Sequence, residues 1–376
     1  MYDAIVVGAR CAGSPTAMLL ARKGYRVLLV DRATFPSDSM RNHFIQRNGV
    51  AQLQKWGLLE RVIASGCPPV RRETVDLGDF PLPVDTSPVE GVDAEYAPRR
   101  LVLDKILVDA AAEAGVEVRE GFSVSEVLLE DGTATGVKGK LKGGSPVEER
   151  ARIIIGADGQ HSLVARTVGA PTYNERPVLT CGYYSYWSGL PVSGLEVWYR
   201  SDPAFIIIVF PTNFHLTCVA VQVPTSRFPE FRLDVERHFM EVIDHASDFS
   251  RRLRVGHRAE RFYGTGDLPN FFRKPYGPGW ALVGDAGYHK DPISASGVSD
   301  AFRDAELLAE AVDAGFSERL SLDLALAEYE RQRNESAKPE YMETCYSASF
   351  RPIPSHVFEK RASLRASLVE HSPPSA

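Results

Sequence analysis

The chain has 376 residues, 44% hydrophobic and 24% charged, the balance of an ordinary globular protein with chain enough for two or three lobes. A net charge of −6 and a pI near 5.9 exclude the basic face that a nucleic-acid partner requires. Five cysteines (Cys11, Cys67, Cys181, Cys218 and Cys345) lack any CxxC spacing, which fits a reduced cytoplasmic protein with no metal rather than a disulfide framework or zinc site.

Met1 runs almost directly into AIVVGAR, with no basic leader, and the longest apolar runs, such as Ala204 to Phe210, fall far short of a membrane span, so no membrane partner is expected. AIVV from Ala4 is continuous rather than alternating and predicts a strand buried on both faces. Gly13 to Lys23 predicts a helix, with Pro15 in its first turn and Gly24 as a stop, and VLLV from Val27 a second strand. Residues 66 to 96, rich in proline and charge, predict loops and short strands. Asp104 to Ala114 predicts a helix ended by Gly115, and RIIIGAD from Arg152 a third buried strand.

Between 178 and 223 the runs CGYYSYW, LEVWYR, AFIIIVF and HLTCVAVQV, separated by Pro, Gly and Asn, predict an antiparallel sheet. Leu233 to Ala246 reads as helical, WALVGDA from Trp280 as a fourth strand, and Ser299 to Ala314 as a helix. From Leu322 the chain reads as helical with a break at Pro352 and Pro354. The expected fold is α/β: a Rossmann-like dinucleotide-binding domain (1–75, 97–172 and 270–320) interrupted by a β-rich substrate domain (76–96 and 173–269), with a C-terminal helical segment (321–376).

The first strand enters Gly8-Ala9-Arg10-Cys11-Ala12-Gly13, a loop whose glycines let the chain turn and whose free amides at Gly8, Ala12 and Gly13 can hold a pyrophosphate. Arg10 stands where the GxGxxG pattern has its middle glycine. Either its side chain points outward or its charge adds to phosphate binding. The second strand ends in Asp31, placed to accept hydrogen bonds from an adenosine ribose. The same device recurs in Gly156-Ala157-Asp158-Gly159 and in Gly284-Asp285-Ala286. Three such strand ends imply one long ligand crossing several strands, as FAD would. Asp291-Pro292-Ile293-Ser294-Ala295-Ser296-Gly297 is a constrained loop entering a helix, and free amides at Gly297 and Val298 with the helix dipole would stabilise negative charge on a reduced flavin.

On these residues the chain resembles the flavoprotein aromatic hydroxylases of the p-hydroxybenzoate hydroxylase type, the group A flavoprotein monooxygenases. The Gly8–Gly13 loop with Asp31-Arg32 resembles their dinucleotide motif. Gly156-Ala157-Asp158-Gly159 through Ser162 to Arg166 resembles their Asp-Gly motif, with the arginine one residue later than usual. Gly284-Asp285, Pro292 and Ser296-Gly297-Val298-Ser299 resemble their Gly-Asp motif and flavin loop, and Arg100 before Leu103-Asp104 their FAD-contacting arginine or glutamine. The resemblance implies noncovalent FAD, NAD(P)H as co-substrate without a nicotinamide domain of its own, and molecular oxygen. Through a flavin C4a-hydroperoxide the family hydroxylates or epoxidises electron-rich small molecules, here aromatic or polyketide-like.

Tyr184, Tyr186, Trp198, Phe205 and His215 are substrate candidates by position in the β-rich lobe. Tyr184 and Tyr186 share a sheet face, which either lines a pocket or is plain core. His215 follows a Pro-Thr-Asn turn and reads as a surface or strand-end residue. His43, Arg41 and His289 fall near the expected flavin, with Arg41 open to pyrophosphate, substrate or solvent; no catalytic base stands out. A second branch of the superfamily contains halogenases and isoprenoid reductases. Trp187 and Trp198 do not form the halogenase W-x-W-x-I-P. The reductase P-x-x-Y-x-W-x-F-P is matched by Pro203, Phe210 and Pro211, with Ile206 and Ile208 where its aromatics belong. A reductase is therefore the alternative, and a noncatalytic flavoprotein the third reading.

Overall fold

The computed structural model describes residues 1–38, 43–84 and 87–370, with side chains to Arg365. It is a mixed α/β protein with two main sheets. In the first, the buried runs read from the sequence lie side by side in the order Trp280–Leu282, Val147–Gly156, Tyr2–Val7 and Val27–Val30, followed by Glu117–Arg119, all parallel. Ala4, Ile5, Val6, Leu28, Leu29, Val30 and Ile153 to Ile155 are fully enclosed, because helices cover one face and a hairpin (Phe122–Glu130 and Thr133–Leu141) the other. Helix Arg100–Glu113 begins four residues before the expected Asp104, and helix Gly297–Phe316 two before the expected Ser299.

The second sheet runs His257–Arg258, Thr180–Ser188, Leu216–Pro224, Ala204–Thr212, Leu195–Ser201, Glu73–Asp76 and Pro81–Pro83. Two expected boundaries fall inside strands. Glu73–Asp76, spanning 75/76, pairs with Leu195–Ser201 in this sheet, while Thr172–Arg176, spanning 172/173, pairs with Asn270–Arg273. The helical region expected from Leu233 starts as a single turn, Phe228–Phe231, and resumes as Val235–Asp244 and Ser247–Leu253.

Side-chain alternation gives this sheet two distinct faces. Cys181, Tyr183, Trp187, Phe205, Ile207, Val209, Val219, Val221 and Val223 point to the face covered by Phe231, Phe239, Val242, Ile243, Phe249 and Leu253 of those helices. Tyr184, Tyr186, Ile206, Ile208, Phe210 and Cys218 point to the other, which meets Phe44, Ile293, Ala295, Ala348 and Phe350. The even-numbered face is thus the one turned toward the loop that precedes helix Gly297–Phe316.

Helix Leu322–Ala348 packs on Gly297–Phe316, and after Pro352 and Pro354 the chain continues as Ser355–Glu370. No described helix is long and apolar enough to cross a membrane. The terminal helix is held by Arg361, which donates to both Asp79 oxygens at 2.8 Å and to the carbonyls of Val75 (3.1 Å) and Phe80 (2.6 Å). This guanidinium holds the Asp79 carboxyl down at about 2. A carboxyl depressed in the folded state stabilises above its unfolded value, about 3.9, and that contribution is lost as pH falls toward about 2. Hydrogen exchange over 355–370 should therefore rise across that window. Asp79→Asn should show the raised exchange already at neutral pH and little further change on acidification.

Candidate functional site

The registers Val7↔Gly156, Val7↔Val30 and Gly156↔Leu282 bring four parallel strands to the same level at their carboxyl ends. Gly8, Asp31, Asp158 and Asp285 therefore lie along one edge, where open α/β sheets bind ligands. The backbone here is too tightly packed for side chains. Gly8 has φ +105°, and a Cβ on it would sit 2.4 Å from the Ala157 carbonyl oxygen. A Cβ on Gly13 would lie 1.8 Å from the Gly8 carbonyl oxygen, and one on Gly284 2.7 Å from the Ala12 Cβ. Glycine loop, Gly156-Ala157 turn and Gly284 turn thus form one cradle of closely packed backbone.

Asp31 holds the rim of this cradle. Its two oxygens accept the amides of Ala9 (2.7 Å) and Ala33 (2.8 Å), and lone pairs remain on each for ribose hydroxyls. Arg32, next along, is exposed, and Arg41 lies outside the described residues. Asp158 accepts the amides of Leu163 (2.6 Å) and Val164 (3.3 Å), so it caps helix Leu163–Thr167. Burial raises its pKa.

The Arg10 alternative is resolved toward the protein. Its guanidinium binds Asp104 and donates to Ser37 Oγ at 3.2 Å. Asp104, fully buried, also accepts from Arg100 Nε (3.0 Å) and Nη2 (2.8 Å) and from Cys11 Sγ (3.6 Å). Burial opposes the charge on Arg100, yet Asp104 and, more weakly, Asp285 hold it firmly protonated. Arg100 thus stands between the glycine loop and the Gly284 turn.

The loop beyond Asp285 is fixed from three sides. Tyr329 donates to the Leu282 carbonyl (2.9 Å) and the buried Arg333 to the Gly287 carbonyl (3.2 Å), so helix Leu322–Ala348 braces the strand end. Asp291 accepts from Thr180 Oγ1 (2.6 Å), the Ile293 amide (3.1 Å) and Gln222 Nε2 (3.4 Å), tying the loop to the second sheet. Gln46 donates its amide to Ser299 Oγ (3.1 Å) and its side chain to the Ser294 carbonyl (3.3 Å). Pro292 then starts a tight turn, Ala295 takes φ +54°, and the 20-residue helix begins at Gly297, where an added Cβ would meet nothing within 4 Å. As at any helix start, the amides of Gly297 and Val298 have no partner within the helix.

Of the substrate candidates, Tyr184 and Tyr186 lie on the even face and join His43 and Phe210 in a ring cluster. Burial keeps both phenols neutral by raising them above their ordinary range. Trp198 and Phe205 point the other way, stacked on Phe249 and His245: Phe205 is odd-numbered, and Trp198, though even, pairs with Ile207, so the numbering flips on its strand. His215 is exposed in the turn at the sheet's edge. His289 bonds the Pro269 carbonyl and stacks on Phe271. The sequence reading missed Arg99, whose guanidinium lies 3.9 Å above the Tyr186 ring and pairs with Asp38 and Glu260, each at 2.7 Å. It also missed Gln46, and it quoted Asp104 and Asp291 only as parts of motifs, without the bonds they make. Only the Arg100/Asp104 spacing of four on a helix signalled one of them.

A family model described as "FAD binding domain" matches residues 1–342. The chain belongs to this family. It is a FAD-dependent oxidoreductase of the p-hydroxybenzoate hydroxylase-like superfamily. It is 27% identical over 321 residues to the digeranylgeranylglycerophospholipid reductase of Methanosarcina mazei, covering 82% of this chain and 74% of the relative. By structure it resembles the myxobacterial chondrochloren halogenase CndH (TM-score 0.85, 23% identity, 98% of this chain and 90% of the other). It also resembles Pseudomonas aeruginosa PqsL in complex with 2-aminobenzoylacetate (TM-score 0.75, 19% identity, 93% and 94%). The glycine cradle, the amides facing it and the Asp31 carboxylate suit the pyrophosphate and ribose of this cofactor.

Gly8→Ala places a methyl group against the Ala157 carbonyl at a φ that alanine avoids. Titration of apoprotein with FAD, followed by flavin fluorescence, should show affinity lowered by at least about tenfold, the equivalent of ~1.4 kcal/mol.

Proposed function

We propose that the protein is a FAD-dependent monooxygenase that takes electrons from NAD(P)H and oxygen from O2 to hydroxylate or epoxidise an electron-rich aromatic or polyketide-like small molecule. The observation that carries this reading is the ring cluster of Tyr184, Tyr186, Phe210 and His43, set on the sheet face that meets Ile293 and Ala295 of the cofactor loop. A face built of flat rings favours a flat ring packed against it.

In this reading Gly8, Ala12, Gly13 and Asp31 hold the dinucleotide, with Arg32, Arg41, Arg100, Asp158 and Asp285 around it. Pro292, Gly297 and Val298 hold the ring system. FAD, when bound, supplies the electron transfer and oxygen activation. The protein contributes position and dryness: Tyr184, Tyr186 and Phe210 orient the substrate and exclude water, and the amides of Gly297 and Val298 favour negative charge beside them. The division into a dinucleotide domain (1–75, 97–172, 270–320) and a substrate domain (76–96, 173–269) belongs to the same proposal. A cytoplasmic location fits the five cysteines, none of them paired.

A second reading, reduction of an isoprenoid double bond, has the Methanosarcina mazei relative in its favour. Against it, Ile206 and Ile208 replace the aromatics of the reductase stretch, and both lie on the even face.

The test is turnover of the FAD-loaded protein with NADH or NADPH under 18O2 against a panel of phenols and aromatic polyketides. One atom of 18O in the product and consumption of O2 are expected. Anaerobic gain of two hydrogens by a prenyl substrate, with no 18O incorporation anywhere in the panel, would establish the reductase instead.

A further inference from the structure

At the start of helix Arg47–Trp56 two acids and one base are packed together. Glu95 is 5% exposed and Arg47 7%. Arg47 Nη2 lies 3.4 Å from Glu73 Oε1, and the Arg47 amide bonds the Glu95 carboxyl. Glu73 comes from strand Glu73–Asp76 of the second sheet, and Glu95 from a short strand paired with Pro69–Val70. Arg71 and Asp93, which flank that pair of strands, are exposed and bond each other at 3.1 Å. The charged groups acting on Glu95 are therefore Glu73 and Arg47. One guanidinium balances only one carboxylate. Glu95 Oε2 is enclosed and has no donor among the described residues. A proton held between Glu95 and Glu73 removes the excess charge and supplies the missing hydrogen. Burial first, and then the Glu73 carboxylate, push the Glu95 carboxyl up to about 8.

The helix start that these groups hold also touches the cofactor loop. Gln46, the residue before Arg47, donates to Ser299 Oγ (3.1 Å) and to the Ser294 carbonyl (3.3 Å). A Cβ on Gly49 would lie 2.6 Å from Ser299 Oγ, so helix and loop are in close contact there.

We propose that Glu95 is a positioning residue: by sharing one proton with Glu73 it keeps Arg47 and Gln46 in place, and through Gln46 it holds loop 292–298 fixed. That this loop seats the flavin is the reading given above, and the functional consequence rests on it. A carboxyl that keeps its proton more firmly in the held arrangement than in water stabilises that arrangement below its ordinary value, about 4.3. The contribution is lost as pH rises to about 8, and changes no further above that.

The test follows hydrogen exchange of the FAD-loaded protein over 45–52 and 292–300, corrected for the intrinsic pH dependence of exchange. Protection in both segments should fall together by at least about tenfold between about pH 5.5 and about pH 8. Glu95→Gln, which keeps the shape and stays neutral, should hold protection within about twofold across that range. If Glu95→Gln loses its flavin, Glu73→Gln takes its place. With one carboxyl left for one guanidinium, the fall should then shrink to less than about threefold. Constant protection in the wild type overturns the proposal, as does a fall that survives in the glutamine variant. FAD affinity is measured in parallel, by flavin fluorescence over the same pH range. Affinity that weakens with the loop supports the loop as the flavin's seat. Affinity that stays level while protection falls leaves the Glu95 clamp standing and removes the flavin from this loop.

Discussion

Everything at this site depends on backbone meeting backbone at the strand ends. Gly8 and the Ala157 carbonyl are so close that no Cβ fits between them, and the helix start at Gly13 crowds the Gly8 carbonyl even more tightly. Only this approach lets three separate strand ends present their amides to a single long ligand. Asp31 then fixes the turn from outside by accepting the Ala9 amide, so the residue suited to ribose also shapes the loop suited to phosphate.

The same constraint explains how the loop accommodates Arg10. A guanidinium beside a pyrophosphate site would reshape the site unless held elsewhere, and Asp104 holds it. Asp104 sits fully buried between two arginines, an arrangement in which removing one partner still leaves the carboxylate paired. Asp291 answers a different demand. Burial raises its carboxyl, and the donors that oppose this come from Thr180, the Ile293 amide and Gln222. One carboxylate thus joins the cofactor loop to two strands of the second sheet, so a substrate resting on that sheet and a cofactor resting on that loop share a rigid link.

The elements legible in the sequence were those set by local pattern. Continuous apolar runs marked the parallel strands, because both of their faces are covered, and a glycine, an acid or both marked each of four strand ends. What stayed hidden were partnerships across long stretches of chain: Gln46 with Ser299, Asp291 with Thr180, Arg99 with Glu260. Polar residues of this kind follow no period, and their meaning depends on which strand lies beside which. Parity was also insufficient by itself. Tyr184 and Tyr186 were correctly put on one face, but whether Trp198 and Phe205 shared it depended on strand register, which comes from pairings such as Trp198↔Ile207 and Ile207↔Val221.

A fold shared with proteins named as reductase, halogenase and PqsL locates the cofactor far more firmly than it identifies the reaction. The reaction must be decided where side chains leave the common frame, and on the function proposed above that place is the even face. Ile206 and Ile208 take positions that the reductase stretch gives to aromatics, while Phe210 brings a ring in from the same strand and Tyr184 and Tyr186 from the strand beyond the next. A long flexible chain gains from any continuous apolar wall, since its burial is proportional to area alone. A rigid ring gains more from a few rings at fixed angles, with one polar contact to set its orientation. The cluster of Tyr184, Tyr186, Phe210 and His43 is of the second kind.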